Sequence, residues 1–300
     1  MAEQQRFLVR FWGVRGSYPT PGSHTMRHGG NTSCVEVQAG PHLLILDAGS
    51  GIIRLGDDLM RRADDATTRD ISLFITHGHG DHLIGFPFFA PLFDPHTNIH
   101  LFGPQLAGRN IEQLVTPLMS PPYFPVDVRH LPSHRTFHTL FDNQCICWQD
   151  GEPVIEKYQR HQPLDPAEVR VTVQLTQSHP QDGAAIYRID YAGHSVVYAT
   201  DVEWQHGCEH EFLSLVEKTD LLIHDAQYTT HDYQQVKQGY GHSTVEMAIE
   251  AARSADIGQL ILFHHEPTYD DDQLDRMEAE AQKRFAHTRS AYEGLEINLL

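Results

Sequence analysis

The chain has 300 residues, 40% hydrophobic and 21% charged, which describes a globular protein and excludes a disordered or fibrous one. Its 22 Lys and Arg stand against 40 Asp and Glu, a formal charge of −18 that argues against gripping long nucleic acid and favours a small partner. No stretch is apolar for long enough to read as a membrane-spanning helix.

Short apolar runs predict strands in chain order at 7–14, 34–39, 43–46, 71–76 and 99–102, then at 169–175, 185–191, 196–200, 221–224 and 260–263. Helical spacing appears at 52–62, 109–116, 245–253 and 272–285. Strands dominate early and helices recur between later strands, which predicts layered sheets covered by helices. The whole span, 1–300, reads as one domain with an irregular insertion at about 119–166, rich in Pro, His and aromatic residues. That insertion suits a lid, a substrate-binding segment or a loose surface excursion. The start, Met1 to Arg6, lacks the basic and long apolar stretches of a signal peptide, so the cytoplasm is the expected location. Cys34, Cys145, Cys147 and Cys208 are too few for a disulfide framework, and the Cys145/Cys147 pair has no second pair to complete a metal site.

Thr76-His77-Gly78-His79-Gly80-Asp81-His82 packs three imidazoles and a carboxylate into six residues, directly after an apolar run. These side chains suit zinc, with manganese as the alternative. A HxHxDH pattern at a strand end arises by chance roughly once in a hundred such chains. Four ligand-type groups in one turn exceed the share one tetrahedral site normally takes from a loop, so the pattern points to two adjacent ions. Further ligands are then needed, and His179, Asp201 and His264 each follow an apolar run as His77 does. Polar groups at the ends of buried strands converge on one edge of a sheet.

This arrangement resembles the metallo-β-lactamase superfamily, from Phe11-Trp12-Gly13 through to His264-His265. The resemblance implies an α/β fold, an αββα four-layer sandwich with the site along one edge of two facing sheets. It implies that His77, His79 and His179 hold one divalent ion, that Asp81, His82 and His264 hold the other, and that Asp201 bridges them. His265 competes with His264, which is preferred for its position straight after the apolar run.

Asn31-Thr32-Ser33-Cys34, Leu46-Asp47-Ala48-Gly49-Ser50-Gly51 and Gly241-His242-Ser243-Thr244 resemble the phosphodiesterase branch that includes ribonuclease Z. Ser243 and Glu246 read as a capping box, which sets His242 at a helix N-terminus, favourable ground for phosphate. The resemblance implies that His242 assists phosphate chemistry, oriented by Asp225, although that branch usually has Glu there, and Thr where Gln227 stands. His224 is either a supporting group or an ordinary strand residue, and Asp47 is expected to brace the histidine turn. A metal-activated water would attack phosphorus in line, with Asp81 or Asp201 holding its proton.

The expected function is a binuclear metal-dependent phosphodiesterase acting on a small phosphodiester such as a cyclic nucleotide. The alternatives are a ribonuclease Z-like transfer-RNA 3′-processing endonuclease and a thioesterase or lactonase of the same fold. Between His179 and Asp201 there is room for a hairpin only, whereas bacterial ribonuclease Z commonly carries a long RNA-gripping arm there. The resemblance suggests a homodimer, with no interface legible in the sequence.

Overall fold

The computed structural model describes residues 6–62, 68–106, 108–160, 162–180 and 183–300. The reading of the N-terminus as free of a signal peptide rests mainly on residues 1–5 and lies outside them.

Strands β1 (Phe7–Gly13), β2 (Cys34–Ala39) and β3 (His42–Leu46) pair antiparallel in sequence. Helix α1 (Gly51–Arg62) intervenes before β4 (Arg69–Phe74), which pairs with β3 in parallel. The one-turn helix α2 (Gly80–Leu83) precedes β5 (Thr97–Pro104), and the short α3 (Ile111–Val115) precedes β6 (His134–Leu140). Strands β4, β5 and β6 run parallel side by side.

The second sheet begins with a hairpin of β7 (Gln144–Gln149) and β8 (Glu152–Lys157). Next come β9 (Val169–Thr176), β10 (Ala184–Tyr191) and β11 (His194–Ala199), which continue the sheet antiparallel in the order β7-β9-β10-β11. The chain then alternates α4 (His210–Val216), β12 (Leu221–Asp225), the single turn α5 (Thr230–Asp232), α6 (Val245–Ser254), β13 (Gln259–Phe263), α7 (Asp271–Gln282) and β14 (Thr288–Ser290). Here β11 to β14 pair in parallel. Last, β15 (Glu296–Asn298) joins the first sheet beside β1.

The strand orders are β15-β1-β2-β3-β4-β5-β6 and β14-β13-β12-β11-β10-β9-β7-β8. Alternation explains the layers. Phe7, Val9 and Phe11 on β1 pack in the same core as Val171 and Val173 on β9 and Tyr187 and Ile189 on β10. The outward faces hold their own cores: Ile45, Leu73 and Leu101 with Ile52 and Leu55 of α1 on one side, and Val197, Leu222 and Leu260 with Ile249 and Leu274 of α6 and α7 on the other. These three apolar seams between four layers form the expected αββα sandwich.

The stretch 119–166 departs from expectation. It is not an irregular insertion, because it carries β6, β7 and β8, which extend one sheet and finish the other. All three lie at or near sheet margins and are half-buried, so polar residues interrupt the apolar alternation that marks a strand. Among the described residues no helix is long and apolar enough to cross a membrane.

Candidate metal centre

The histidine turn is held from behind by Asp47. Its carboxylate accepts the Thr76 backbone N–H at 2.8 Å, the Thr76 hydroxyl at 3.0 Å and the Tyr198 hydroxyl at 2.9 Å. The fourth donor is His82 Nδ1, at 2.8 Å, which fixes that ring and leaves its Nε2 facing the cluster. Ile75 stays in register through a backbone bond to Phe102 while Thr76 turns away, so the chain leaves β4 with its next residues over the sheet edge.

The second sheet delivers its groups one at a time from strand ends. Asp201 and His264 follow β11 and β13, and both adopt left-handed backbone with φ of 56° and 60°. Asp47 after β3 (φ 62°) and Ser17 (φ 60°) share that conformation. Non-glycine residues rarely sit there, and their clustering at one edge marks a place where geometry outweighs backbone preference. Gly241 (φ 90°) turns the chain toward His242, and a Cβ there would lie 2.4 Å from His179 Nδ1.

The two sets meet. Asp201 Oδ1 lies 3.1 Å from His82 Nε2 and 3.2 Å from His264 Nε2, while its Oδ2 lies 3.5 Å from His77 Nε2 and 3.8 Å from His179 Nε2. Asp81 Oδ2 sits 3.3 Å from His82 Nε2 and 3.1 Å from His264 Nε2, and accepts the Ser17 N–H at 2.7 Å. His179 Nε2 is 3.0 Å from His79 Nδ1. Potential ligand atoms of His77, His79, His179 and Asp201 all fall within 4.8 Å of one another, as do those of Asp81, His82, Asp201 and His264. Asp201 belongs to both groups.

The donor set fits divalent cations. His77 Nε2 is buried with no hydrogen-bond partner, an arrangement that costs free energy unless something else occupies the lone pair. The Nε2 atoms of His82 and His264 face each other at 3.3 Å beside two carboxylates. Burial, reinforced by the neighbouring His82 and opposed by Asp201, drives the His77 pKa well down and keeps that imidazole neutral. Burial also opposes the charge on Asp81 and Asp201, but facing histidines outweigh it and lower both carboxyl pKa values, so both stay ionised. These are the forms that bind metal, whereas His82, whose pKa Asp201, Asp81 and Asp47 raise against the effect of burial, gives up a proton to a bound ion.

Two remaining candidates separate cleanly. His264 Nδ1 pairs with Gln227 Oε1 at 3.0 Å and its Nε2 faces the carboxylates. His265 instead points at the Ala291 carbonyl, 3.0 Å away, outside the cluster. His224 is also remote in role: its Nε2 accepts from the Trp204 indole at 2.9 Å inside the core.

His242 stands beside the cluster, its ring stacked 4.8 Å from that of His264. Its Nδ1 bonds Asp225 Oδ2 at 2.8 Å, so the carboxylate shorter than Glu still reaches. Burial opposes charge on this imidazole, but Asp225, with help from Asp201 and Asp81, raises its pKa to about 9. Among the described residues its ring bonds through Nδ1 alone. The cap before α6 differs from the expected one. Thr244, not Ser243, caps the helix by accepting from Met247 N, and Ser243 donates its hydroxyl to the Val202 carbonyl. Its N–H meets Asp225 Oδ1, so Ser243 locks the His242 loop to β12 instead of starting the helix.

Several supports escaped sequence reasoning. Ser17 donates to Asp81, and Gln227 orients His264 while reaching Ser17 and Glu266. Buried Glu203 accepts the N–H groups of Gly239 and Gly241 at 2.7 and 2.8 Å, while the Gly241 carbonyl holds His179 Nδ1 at 2.9 Å. These contacts join residues up to 210 apart, and only the tight glycines around Gly16 and Gly241 signal them in sequence.

A four-layer sandwich with seven His and Asp donors converging on one edge defines a hydrolase-type metal site of a known class. The profile of the "Beta-lactamase superfamily domain" matches residues 42–265, and the chain belongs to this superfamily of metal-dependent hydrolases. A curated relative, ribonuclease Z from Pyrococcus furiosus, is 26% identical over 288 residues, covering 87% of each chain. Among solved structures, the metallo-β-lactamase fold protein YhfI from Bacillus subtilis superposes with a TM-score of 0.65 at 21% identity, covering 98% of this chain and 100% of that one. The short form of human tRNase Z gives 0.61 at 18% identity, covering 97% and 98%. At such identities the two structures speak for the fold alone; the curated relative places the chain in the ribonuclease Z-like branch.

Proposed function

We propose that the chain is a binuclear metal-dependent phosphodiesterase, with zinc as the favoured metal and manganese as the alternative. His77, His79 and His179 would hold one ion, Asp81, His82 and His264 the other, and Asp201 would bridge them. When bound, such ions lower the pKa of a water and neutralise charge on phosphoryl oxygens. The chain's own residues do the rest. Asp47 and Gln227 hold His82 and His264 in orientation through their Nδ1 atoms. Asp81, anchored by the Ser17 N–H, is an acceptor for the proton of the attacking water.

The observation that carries the phosphodiester reading is the His242–Asp225 pair. Asp225 occupies Nδ1 and favours the charged imidazole, which leaves Nε2–H to donate to the departing oxygen. A thioesterase or lactonase needs the metal ligands but no such proton donor beside them.

For the substrate, the relatives named ribonuclease Z support an RNA phosphodiester better than the cyclic nucleotide that charge alone suggests. A charge of −18 and a bare β10–β11 hairpin favour the small-substrate reading instead. The deciding experiment is an activity panel after metal reconstitution: bis-p-nitrophenyl phosphate, cyclic mononucleotides, linear dinucleotides, transfer-RNA precursor and a thioester. The proposal expects hydrolysis of bis-p-nitrophenyl phosphate and at least one nucleotide diester. Turnover of the thioester alone would overturn it.

A further inference from the structure

Glu203 stands two residues beyond Asp201, on the segment that leaves β11, and it is buried. Its Oε1 accepts the Tyr233 hydroxyl and the Gly239 N–H at 2.7 Å each and the Gln205 amide at 3.0 Å, while its Oε2 accepts the Gly241 N–H at 2.8 Å. One carboxylate thus ties the chain beyond Asp201 to both ends of the stretch 233–241. That stretch is a wide helical turn (Tyr233–Lys237) followed by Gly239 (φ 83°) and Gly241 (φ 90°).

Gly241 faces two ways. Its N–H goes to Glu203, and its carbonyl accepts His179 Nδ1–H at 2.9 Å. The backbone is pressed against that ring, since a Cβ on Gly241 would lie 2.1 Å from Pro180 Cδ and 2.4 Å from His179 Nδ1. A carbonyl only accepts, so the bond puts the hydrogen of His179 on Nδ1 and turns its Nε2 toward His79 and Asp201. His82 and His264 are oriented by side chains, Asp47 and Gln227. His179 is oriented by a backbone group, whose place depends on what holds Gly241.

We infer that Glu203 is the positioning residue for the ion held by His77, His79 and His179: by fixing Gly241 it does for His179 what Asp47 does for His82 and Gln227 for His264. The role rests on the two-ion reading and names what tunes one of its sites. All four partners of Glu203 donate, so the position calls for a group that only accepts. An amide of the same shape would turn its own N–H toward the N–H of either Gly239 or Gly241 and push the loop off His179. The other ion's ligands keep their braces, and His242 keeps Asp225.

The test measures the two metal affinities separately, by competing zinc against a chelator in wild type, Glu203→Gln and Glu203→Asp. Glu203→Gln should weaken one binding step about ten- to a hundredfold and leave the other within about twofold. Glu203→Asp keeps a carboxylate and should recover part of the loss. A lower unfolding temperature with both steps unchanged, or with both equally weakened, would make Glu203 merely structural and overturn the inference. A second readout needs no metal: nitrogen-15 NMR of the metal-free protein should show His179 protonated at Nδ1 in wild type and a mixture of tautomers in Glu203→Gln. The Nδ1–H form kept pure in Glu203→Gln also overturns the inference. Wild type that takes up one ion or none sinks the two-ion reading, while the NMR spectrum still decides whether Glu203 orients His179.

Discussion

The two sheets build their halves of the site in opposite ways. The first sheet supplies His77, His79, Asp81 and His82 from one seven-residue turn, braced by the single carboxylate of Asp47. The second gathers His179, Asp201, His242 and His264 from different strand ends and loops, braced separately by Gly241, Asp225 and Gln227. A local turn keeps its spacing whenever the loop folds, whereas scattered groups keep theirs only if the strands pair in register. Damage to the first half should therefore spread through one brace, and damage to the second should stay with the group affected.

The largest effect should come where the halves join. Asp201→Ala removes the only residue common to both ligand groups, and hydrolysis should fall by roughly a thousandfold or more while circular dichroism stays native. A loss below tenfold would mean that the halves work independently.

Asp225→Asn probes the second half alone. Asp225 is the group that most raises the His242 pKa; without it, burial dominates and the pKa falls. The imidazolium is the form present below its pKa, so lowering the pKa should move the alkaline limb of kcat to lower pH and cut the rate about ten- to a hundredfold at pH 8. Metal content should hardly change. An unmoved alkaline limb would remove His242 from the chemistry.

Asp47→Asn tests the single brace of the first half. An amide cannot accept from Thr76, His82 and Tyr198 together, so thermal unfolding should report a loss of about 2–4 kcal/mol. Unchanged stability would show that the turn holds its own shape.

The same contrast explains what was legible in sequence. The histidine turn announced itself because its ligands are neighbours, and His179, Asp201 and His264 because each follows an apolar run. Most strands were legible for the same reason, since fully buried runs such as Leu260 to Phe263 carry no polar interruptions. Strands β6 and β8 were not, because His134-Arg135-Thr136 and Glu152-Pro153 break the alternation at exposed sheet margins. Ser17, Glu203 and the role of Gln227 were invisible because their partners are distant in the chain and their residue types are common. The cap before α6 was misread for a local reason: Ser243 and Thr244 are both good cap residues, and tertiary bonds to Val202 and Asp225 claim the first.

Counting metal in the purified, reconstituted protein by elemental analysis tests the shared two-ion site most directly. The account predicts close to two divalent ions per chain, falling together when Asp201 is replaced. One ion or none with hydrolysis intact would contradict it.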